Sequence, residues 1–251
     1  MFQNRPDAVL SIAHTAELRQ ALAPVLREAA QRRIAYREVD AEELARMAQS
    51  VHHEGVCMLV QPRSPATLKT LLAGAAGGGV LLALDGVQNP HNIGAILRSA
   101  AYFGASGLVY ATPDNASSKT AALSPAARRV AEGGAEYVEV LRVGALAPAL
   151  EDARRAGFRV VGSGVRASTP LAGFNWPRRS VLVLGHEQHG VTREVAERCD
   201  FSVRIAGSEQ LDSLNVSVAA GVFLASYAAA HPTARLAVAA STRSDGGGSH
   251  A

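Results

Sequence analysis

The chain has 251 residues, 48% hydrophobic and 19% charged, which is the composition of a globular protein with one large domain or two smaller ones. No apolar run reaches the roughly 18 residues of a membrane span, and no basic stretch leads into an apolar core at the N-terminus, so we expect a cytoplasmic protein without a signal peptide. The net charge of +3 permits a polyanionic partner without requiring one, and the two distant cysteines exclude a disulfide framework.

The first 63 residues are predicted to form a small α/β domain. Its first helix carries Leu22 and Leu26 on one apolar stripe, and Asp40 can cap its second helix. The predicted elements are strands over 8–13, 34–39 and 56–60 and helices over 14–30 and 40–50. Residues 64–79 are rich in Pro, Ser and Gly, and are predicted to be a linker with room for one short helix.

Residues 80–232 alternate between short apolar runs and helical patterns. This alternation predicts a second α/β domain, in which helices cover both faces of a parallel sheet. The predicted strands are 80–84, 107–110, 135–140, 158–163, 180–185 and 201–205, and the helices are 92–103, 124–132, 145–157, 192–199 and 215–230. The tail STRSDGGGSHA, residues 241–251, has no apolar residue able to anchor it, and the segment 233–251 is predicted to be disordered.

The stretch LGHEQHG, residues 184–190, permits two interpretations, a zinc site or a loop that closely approaches a ligand. A zincin helix needs two histidines four residues apart on one face. Here His186 and His189 are three apart, between glycines, at the end of a predicted strand. No third ligand is obvious from the sequence, so we expect no metal and favour the ligand-binding loop.

The stretch GSGVRA, residues 162–167, matches the dinucleotide-binding pattern G-x-G-x-x-A directly after a predicted strand. In a dinucleotide-binding fold a helix follows, and its N-terminus faces the pyrophosphate. Here STPLAGFNWP follows, with two prolines and no helical period. This context disfavours a nicotinamide enzyme.

Polar residues mark the start of the helix in NPHNIGAILRSAAYFGASGL, residues 89–108. Asn92 can cap this helix with its side chain, and Gly94 permits another group to come close. Arg98 lies within the next two turns. The alternative is that Asn92 is only a cap and Arg98 only a surface charge.

A second polar cluster lies in SEQLDSLNVSVAAGV, residues 208–222. Ser213, Asn215 and Ser217 crowd the start of an otherwise apolar helix, where one capping group would be enough. Three small polar groups favour a helix N-terminus that faces a ligand or a second backbone, although capping alone stays open.

The stretches HNIGAILRSA, GHEQHG and SLNVSVA, in this order and spacing, resemble the three motifs of the SpoU/TrmH family, RNA ribose 2′-O-methyltransferases of the SPOUT class. The resemblance covers about residues 80–230, and residues 1–63 are similar to the L30-like RNA-binding domain of many members. AEGGAEYV is most similar to a branch known only as tRNA/rRNA methyltransferases. The resemblance implies a parallel α/β sheet with a C-terminal trefoil knot that forms the pocket for S-adenosylmethionine.

The resemblance also implies an activity, partners and site residues. The activity is methyl transfer to a ribose 2′-hydroxyl of structured rRNA or tRNA, by a homodimer with active sites near its interface. The implied catalytic residues are Asn92, Arg98, Glu187, Ser213 and Asn215, and the implied cofactor-binding residues are Gly185, Gly190, Ile205 and Leu214.

One departure concerns the exit of the last strand, where the family often has Ile-Pro-Met and this chain has Ile205-Ala206-Gly207. The added backbone freedom puts cofactor affinity in question, so an alternative stays open: an RNA-binding protein that retains the fold without catalysis. Arg98 also has two interpretations, the family's catalytic base or a stabiliser of the forming alkoxide, because a free guanidinium has a pKa above about 12. The candidate phosphate contacts are Arg128, Arg129, Arg154, Arg155, Arg178 and Arg179.

Overall fold

The computed structural model divides the chain into two compact units, Met1–Pro65 and Ala66–Ala251. The structure describes residue 2 and residues 5–62, 66–111, 124–208 and 210–232, so the segment 233–251 that was predicted to be disordered lies outside the described residues. In the described parts of the chain, no helix is long and apolar enough to cross a membrane.

The N-terminal unit is a three-stranded sheet with a helix against each face. Its elements are strands β1 (Val9–His14), β2 (Ala35–Glu38) and β3 (Val56–Val60) and helices α1 (Ala23–Gln31) and α2 (Ala41–Ala48). The central strand β1 is parallel to β2 and antiparallel to β3. Ile12 of β1 is buried in a cluster with Leu26 of α1, whereas its neighbour Ala13 is buried with Leu44 of α2, as expected for a strand whose alternate residues face opposite sides.

The first helix is shorter than the predicted range 14–30. His14 continues β1 and pairs with Val56, and Ala16–Leu18 form a 3₁₀ turn. Helix α1 begins only at Ala23, with Pro24 in its first turn, where a backbone N–H is not needed. The helical prediction was therefore wrong for residues 14–22, where the end of β1 and a 3₁₀ turn precede the helix.

The larger unit is a seven-stranded sheet whose strand pairs are all parallel, in the order β6-β5-β4-β9-β7-β10-β8. Its strands are β4 (Gly79–Asp85), β5 (Gly107–Ala111), β6 (Glu139–Val143), β7 (Arg159–Ser163), β8 (Thr169–Pro170), β9 (Arg179–Gly185) and β10 (Phe201–Arg204). Its helices are α3 (Leu68–Gly74), α4 (Pro90–Phe103), α5 (Pro125–Val130), α6 (Leu146–Arg155), α7 (Arg193–Ala196) and α8 (Val216–Ala230). The parallel α/β architecture predicted from the sequence is confirmed.

Helices cover both faces of this sheet, which explains why its central strands are apolar at nearly every position. Leu82 and Leu84 of β4 are buried in a cluster with residues of α4 and α8. The intervening Leu81 and Ala83 are buried in a second cluster with residues of α3 and α6. The trefoil knot implied by the family resemblance stays a prediction.

The larger unit begins inside the segment predicted as a linker. Thr67 and Thr70 form a capping box at the start of α3, and Leu71 and Leu72 of this helix are buried in the sheet cluster that contains Leu81. Residues from Thr67 onward therefore belong to the folded core rather than to a flexible connection. The Gly-rich composition that suggested a linker reflects the turn between α3 and β4.

The carboxyl ends of the parallel strands form one edge of the sheet. Strand β4 ends at Asp85 and β9 at Gly185, and these two residues are register partners. Helix α4 starts five residues after Asp85. In parallel α/β sheets, crevices at this edge are the usual place for ligands, and the motif residues of the next section lie here.

Candidate functional site

Helix α4 starts two residues earlier than predicted, at Pro90, and this frees Asn92. The cap is Asn89, whose Oδ1 accepts a hydrogen bond from His91 N at 2.9 Å, and Pro90 occupies the first turn. The prediction that Asn92 caps the helix was wrong, because a residue inside the first turn is not needed as a cap. Its amide is available for contacts with other segments.

The loop after β9 is a tight, closed hairpin. His186 and Gly190 exchange two backbone hydrogen bonds of 2.9 and 2.8 Å, which leaves only three residues, with Glu187 first among them, at the tip. Gly190 has φ +67°, a conformation that glycine adopts without strain. A Cβ on Gly185 would lie 2.1 Å from the carbonyl carbon of Gly190. Both glycines are therefore accounted for by the loop's own geometry, whether or not a ligand is bound.

Asp85 fixes the far end of this loop, and sequence analysis missed it. Its side chain is buried at the end of β4, and Oδ2 accepts a hydrogen bond from Thr192 N at 2.7 Å. Thr192 is the residue before α7, so the loop is held at Gly185 by the sheet and at Thr192 by this carboxylate. An acidic residue that ends an apolar strand was the available signal.

A chain of hydrogen bonds connects the three motif segments. Ser217 Oγ donates to Asn215 Oδ1 at 2.7 Å, and Asn215 Nδ2 donates to Asn92 Oδ1 at 3.1 Å. Asn92 Nδ2 in turn donates to Glu187 Oε1 at 2.6 Å. Asn215 also caps α8 by accepting from Ser217 N at 2.9 Å. Capping therefore uses only the oxygen of this amide, and its nitrogen joins α8 to Asn92 of α4, which in turn contacts the loop after β9.

Arg98 lies outside this chain of hydrogen bonds. It follows Asn92 by six residues, which places it about 9 Å along the α4 axis and about a third of a turn around it. Arg98 Nη1 donates to Glu132 Oε1 at 2.6 Å, in the turn after α5. The side of α4 that carries Ser99 faces α8 instead, since a Cβ on Gly221 would lie 3.9 Å from Ser99 Oγ.

Three other predicted site residues, Ser213, Ile205 and Leu214, do not take part in the hydrogen-bond chain. Ser213 is exposed, and within the described residues it has no hydrogen-bond partner. Ile205 is partly buried at the exit of β10, and Leu214 is 49% exposed just before α8. The structure thus bonds Asn92 directly to both Glu187 and Asn215, and no side-chain hydrogen bond joins the other predicted residues to these three in the described parts of the chain.

The alternative chemistries find little support. In the described parts of the chain, no three His, Cys, Asp or Glu side chains are grouped to hold a metal. The His186 and His189 rings stack at 4.9 Å, and His186 Nδ1 accepts a hydrogen bond from Gln188 N. Residues 168–178, all of them described, contain no helix after GSGVRA. Burial raises the pKa of Cys199 to about 11, which keeps this thiol protonated.

Four of the candidate phosphate contacts lie at the opposite edge of the sheet, where strands begin. Arg154 and Arg155 end α6, and Arg178 and Arg179 lie at the start of β9, whose seven residues span about 20 Å. These arginines bond to Glu151, Asp152 and Asp200 and to backbone carbonyls. They are therefore poorly placed to bind phosphates beside Asn92.

A sequence profile described as the SpoU rRNA Methylase family matches residues 79–225, more than half of the chain. This chain belongs to the SpoU methylase family. A second profile, described as RNA 2′-O ribose methyltransferase substrate binding, matches residues 2–66 and thus the N-terminal unit. The family resemblance of the sequence is confirmed.

This SpoU family member is similar in sequence to two curated relatives and in fold to a solved structure. An uncharacterized tRNA/rRNA methyltransferase of Escherichia coli O157:H7 is 36% identical over 90% of this chain and 64% of its own length. A 23S rRNA (guanosine-2′-O-)-methyltransferase of Pseudomonas aeruginosa is 38% identical over 76% of each chain. The crystal structure of the SpoU methyltransferase AviRb from Streptomyces viridochromogenes aligns with a TM-score of 0.70, at 22% identity, over 90% of this chain and 83% of that one. The chain spans slightly less than two thirds of the E. coli relative.

We predict that Gly185→Ala destabilises the site loop. The added methyl group would overlap the Gly190–Val191 backbone, so the loop must shift, and we expect the free energy of unfolding to fall by about 1–3 kcal/mol in urea titrations. Gly207→Ala is the matched control, because a Cβ there meets nothing within 4 Å. Equal stability of the two variants would contradict this account of the loop.

Proposed function

We propose that this chain transfers a methyl group from S-adenosylmethionine to a ribose 2′-hydroxyl of a structured ribosomal or transfer RNA. The observation that carries the proposal is the pair of hydrogen bonds by which Asn92 contacts both Glu187 and Asn215, residues of the three stretches that resemble the SpoU motifs. Two relatives support it: the P. aeruginosa protein is named a 23S rRNA guanosine-2′-O-methyltransferase, and a neighbouring AviRb structure contains AdoMet.

The residues at the carboxyl edge fit an adenosyl group. Such a group needs apolar walls and backbone hydrogen-bonding groups. Ile205 and the half-exposed Leu214 supply apolar surface, and the backbones at Gly190 and Gly207 are open, since a Cβ on either would meet nothing within 4 Å. We assign cofactor binding to these residues and to Gly185.

S-adenosylmethionine supplies an electrophilic methyl group when bound, so the protein's task is to align the ribose oxygen and remove its proton. Asn92 holds one oxygen of Glu187, and in the described structure no donor engages the other. That second oxygen is available to accept a hydrogen bond from the ribose hydroxyl. Alignment of this kind lowers the barrier by as much as roughly 7–11 kcal/mol.

We assign Arg98 to the phosphate next to the target ribose, and Ser213 to the RNA backbone near the start of α8. Arg98 is displaced along α4 from Asn92, so it reaches a neighbouring group rather than the atoms that Asn92 holds. A guanidinium binds phosphate through two hydrogen bonds and stabilises developing negative charge. Arg128 and Arg129, in the last turn of α5, are the remaining candidate phosphate contacts, and α5 packs against α4 at Gly94. The N-terminal unit would select the RNA.

We also propose a homodimer formed through α8. Val216, Ala220 and Phe223 are buried against the sheet, whereas Val218 and Val222 form an exposed apolar stripe with Leu214 at a spacing of four residues. Exposed apolar stripes of this kind mark interaction surfaces, and a two-fold contact between identical chains is the commonest solution. Asn215 caps the same helix, so the contact would lie beside the site. Since RNA is the substrate and Cys57 and Cys199 are both free, we place the protein in the cytoplasm.

The activity is testable with purified chain, S-adenosylmethionine and RNA from cells that lack the gene. We expect binding of the cofactor in calorimetry, no binding of NAD, and new 2′-O-methyl groups in rRNA or tRNA. Arg98→Ala should lower kcat about 10²-fold, and Arg98→Lys should retain intermediate activity, because its point charge still stabilises the alkoxide. Arg193→Lys, on the exposed surface of α7, is the control and should behave as wild type.

Two results would count against this function. A chain that binds RNA but neither binds S-adenosylmethionine nor transfers a methyl group would be the catalytically silent RNA-binding protein. An Arg98→Lys variant as inactive as Arg98→Ala would contradict charge stabilisation and favour proton removal by Arg98.

The dimer is testable by sedimentation. We expect the wild-type chain to sediment at twice its own mass and Val218→Glu/Val222→Glu to sediment as a monomer, because two buried, unpaired carboxylates would oppose the contact. Val165→Glu changes an even more exposed valine outside α8 and should stay dimeric. A wild-type monomer, or a dimer that survives the α8 substitutions, would rule out this interface.

A further inference from the structure

We propose that Glu132 is a positioning residue that orients the Arg98 guanidinium for methyl transfer. The inference rests on the proposed function, in which Arg98 binds RNA and stabilises charge. The observation behind it is the 2.6 Å contact between Arg98 Nη1 and Glu132 Oε1, across 34 residues of sequence. None of the three motifs includes Glu132.

The backbone at Glu132 points to a role for its carboxylate. Glu132 has φ +44° and Gly133 has φ +84°, so two successive residues adopt the left-handed conformation after α5. Glycine adopts this conformation freely, whereas a residue with a Cβ is strained there. A glutamate in such a position lowers the stability of the backbone, and we infer that the hydrogen bond of its side chain to Arg98 compensates for this cost.

The turn that carries Glu132 packs directly on the backbone of Arg98. A Cβ on Gly134 would lie 3.0 Å from both Arg98 Cα and Leu97 O, so no larger residue fits between the turn and α4. One helical turn earlier, a Cβ on Gly94 would lie 2.5 Å from Ala127 O, which shows that α5 is equally close to α4. Two glycine contacts thus fix the distance between the backbones that carry Arg98 and Glu132.

Because the backbones of Arg98 and Glu132 are held at a fixed distance, their ion pair differs from a contact between two freely moving surface side chains. A guanidinium has five N–H donors in one plane. When Glu132 accepts one of them, it sets the orientation of that plane and leaves the other donors for an RNA phosphate or ribose oxygen. The two side chains are 58% and 62% exposed, so RNA can reach them.

The pair also has an electrostatic signature that a purely structural contact lacks. Glu132 brings a negative charge to a surface that binds phosphate, and this charge opposes RNA binding. Loss of the carboxylate should therefore lower kcat, because Arg98 is no longer oriented, while RNA binding stays equal or becomes tighter. Exposed ion pairs add little to stability, so the fold should not suffer.

The test compares Glu132→Gly and Glu132→Gln with the wild-type full-length chain in methyl transfer to the RNA substrate. Glycine removes the carboxylate and relieves the backbone, so we expect kcat to fall about 10- to 100-fold with an unchanged or higher Tm and an unchanged or lower Kd for RNA. Glutamine retains an oxygen that can accept from Arg98, so its kcat should lie between those of the glycine variant and the wild type.

Glu197→Gln is the matched control, because it removes the carboxylate of another exposed ion pair, with Arg193 at 2.9 Å, and should leave kcat unchanged. If the wild type is active and Glu132→Gly has full or higher kcat, this inference fails alone. A joint loss of kcat, RNA binding and Tm would also overturn it in favour of a structural role. A wild-type chain that transfers no methyl group would overturn the proposed function, and this inference with it.

Discussion

The hydrogen-bond chain from Ser217 through Asn215 and Asn92 to Glu187 is the contact on which the site depends. It joins residues that are 95 and 123 positions apart in sequence. Each such bond contributes only about 1 kcal/mol net, so the bonds cannot assemble the site by themselves. The parallel sheet does this, because it places the exits of β4 and β9 side by side and packs α4 against α8. The polar contacts then select one arrangement at an edge that the apolar core has already built.

Helix α4 makes separate contacts on two of its faces. The face that carries Asn92 contacts Glu187 of the loop after β9 and Asn215 at the start of α8. Arg98 lies about a third of a turn away and meets Glu132 instead. Under the proposed function, the first face aligns the ribose and the second handles phosphate and charge. In the structure the Arg98 cation bonds to Glu132, and Glu187 accepts from the neutral amide of Asn92.

Much of the fold could be predicted from the sequence because the strands are buried on both faces, as at Leu81–Leu84 of β4, and because most helices are amphipathic. The contacts of single side chains did not follow. Two asparagines near the start of α4 have the same local signal, and only the position of Pro90 relative to Asn89 decides which one caps. Glu132 meets Arg98 through a turn whose shape depends on α5 packing at Gly94, which no local pattern expresses. The end of β1 was missed for the same reason, since pairing with β3 extends this strand to His14.

The most direct test of the central claim is a double-mutant cycle on kcat/KM for methyl transfer, with Asn92→Ala, Glu187→Ala and the double variant. Residues that act as one hydrogen-bonded unit give non-additive losses. The account predicts that the double variant is no more impaired than the worse single variant. Losses that multiply, as for two independent residues, would contradict it, because Asn92 would then act on the reaction without Glu187.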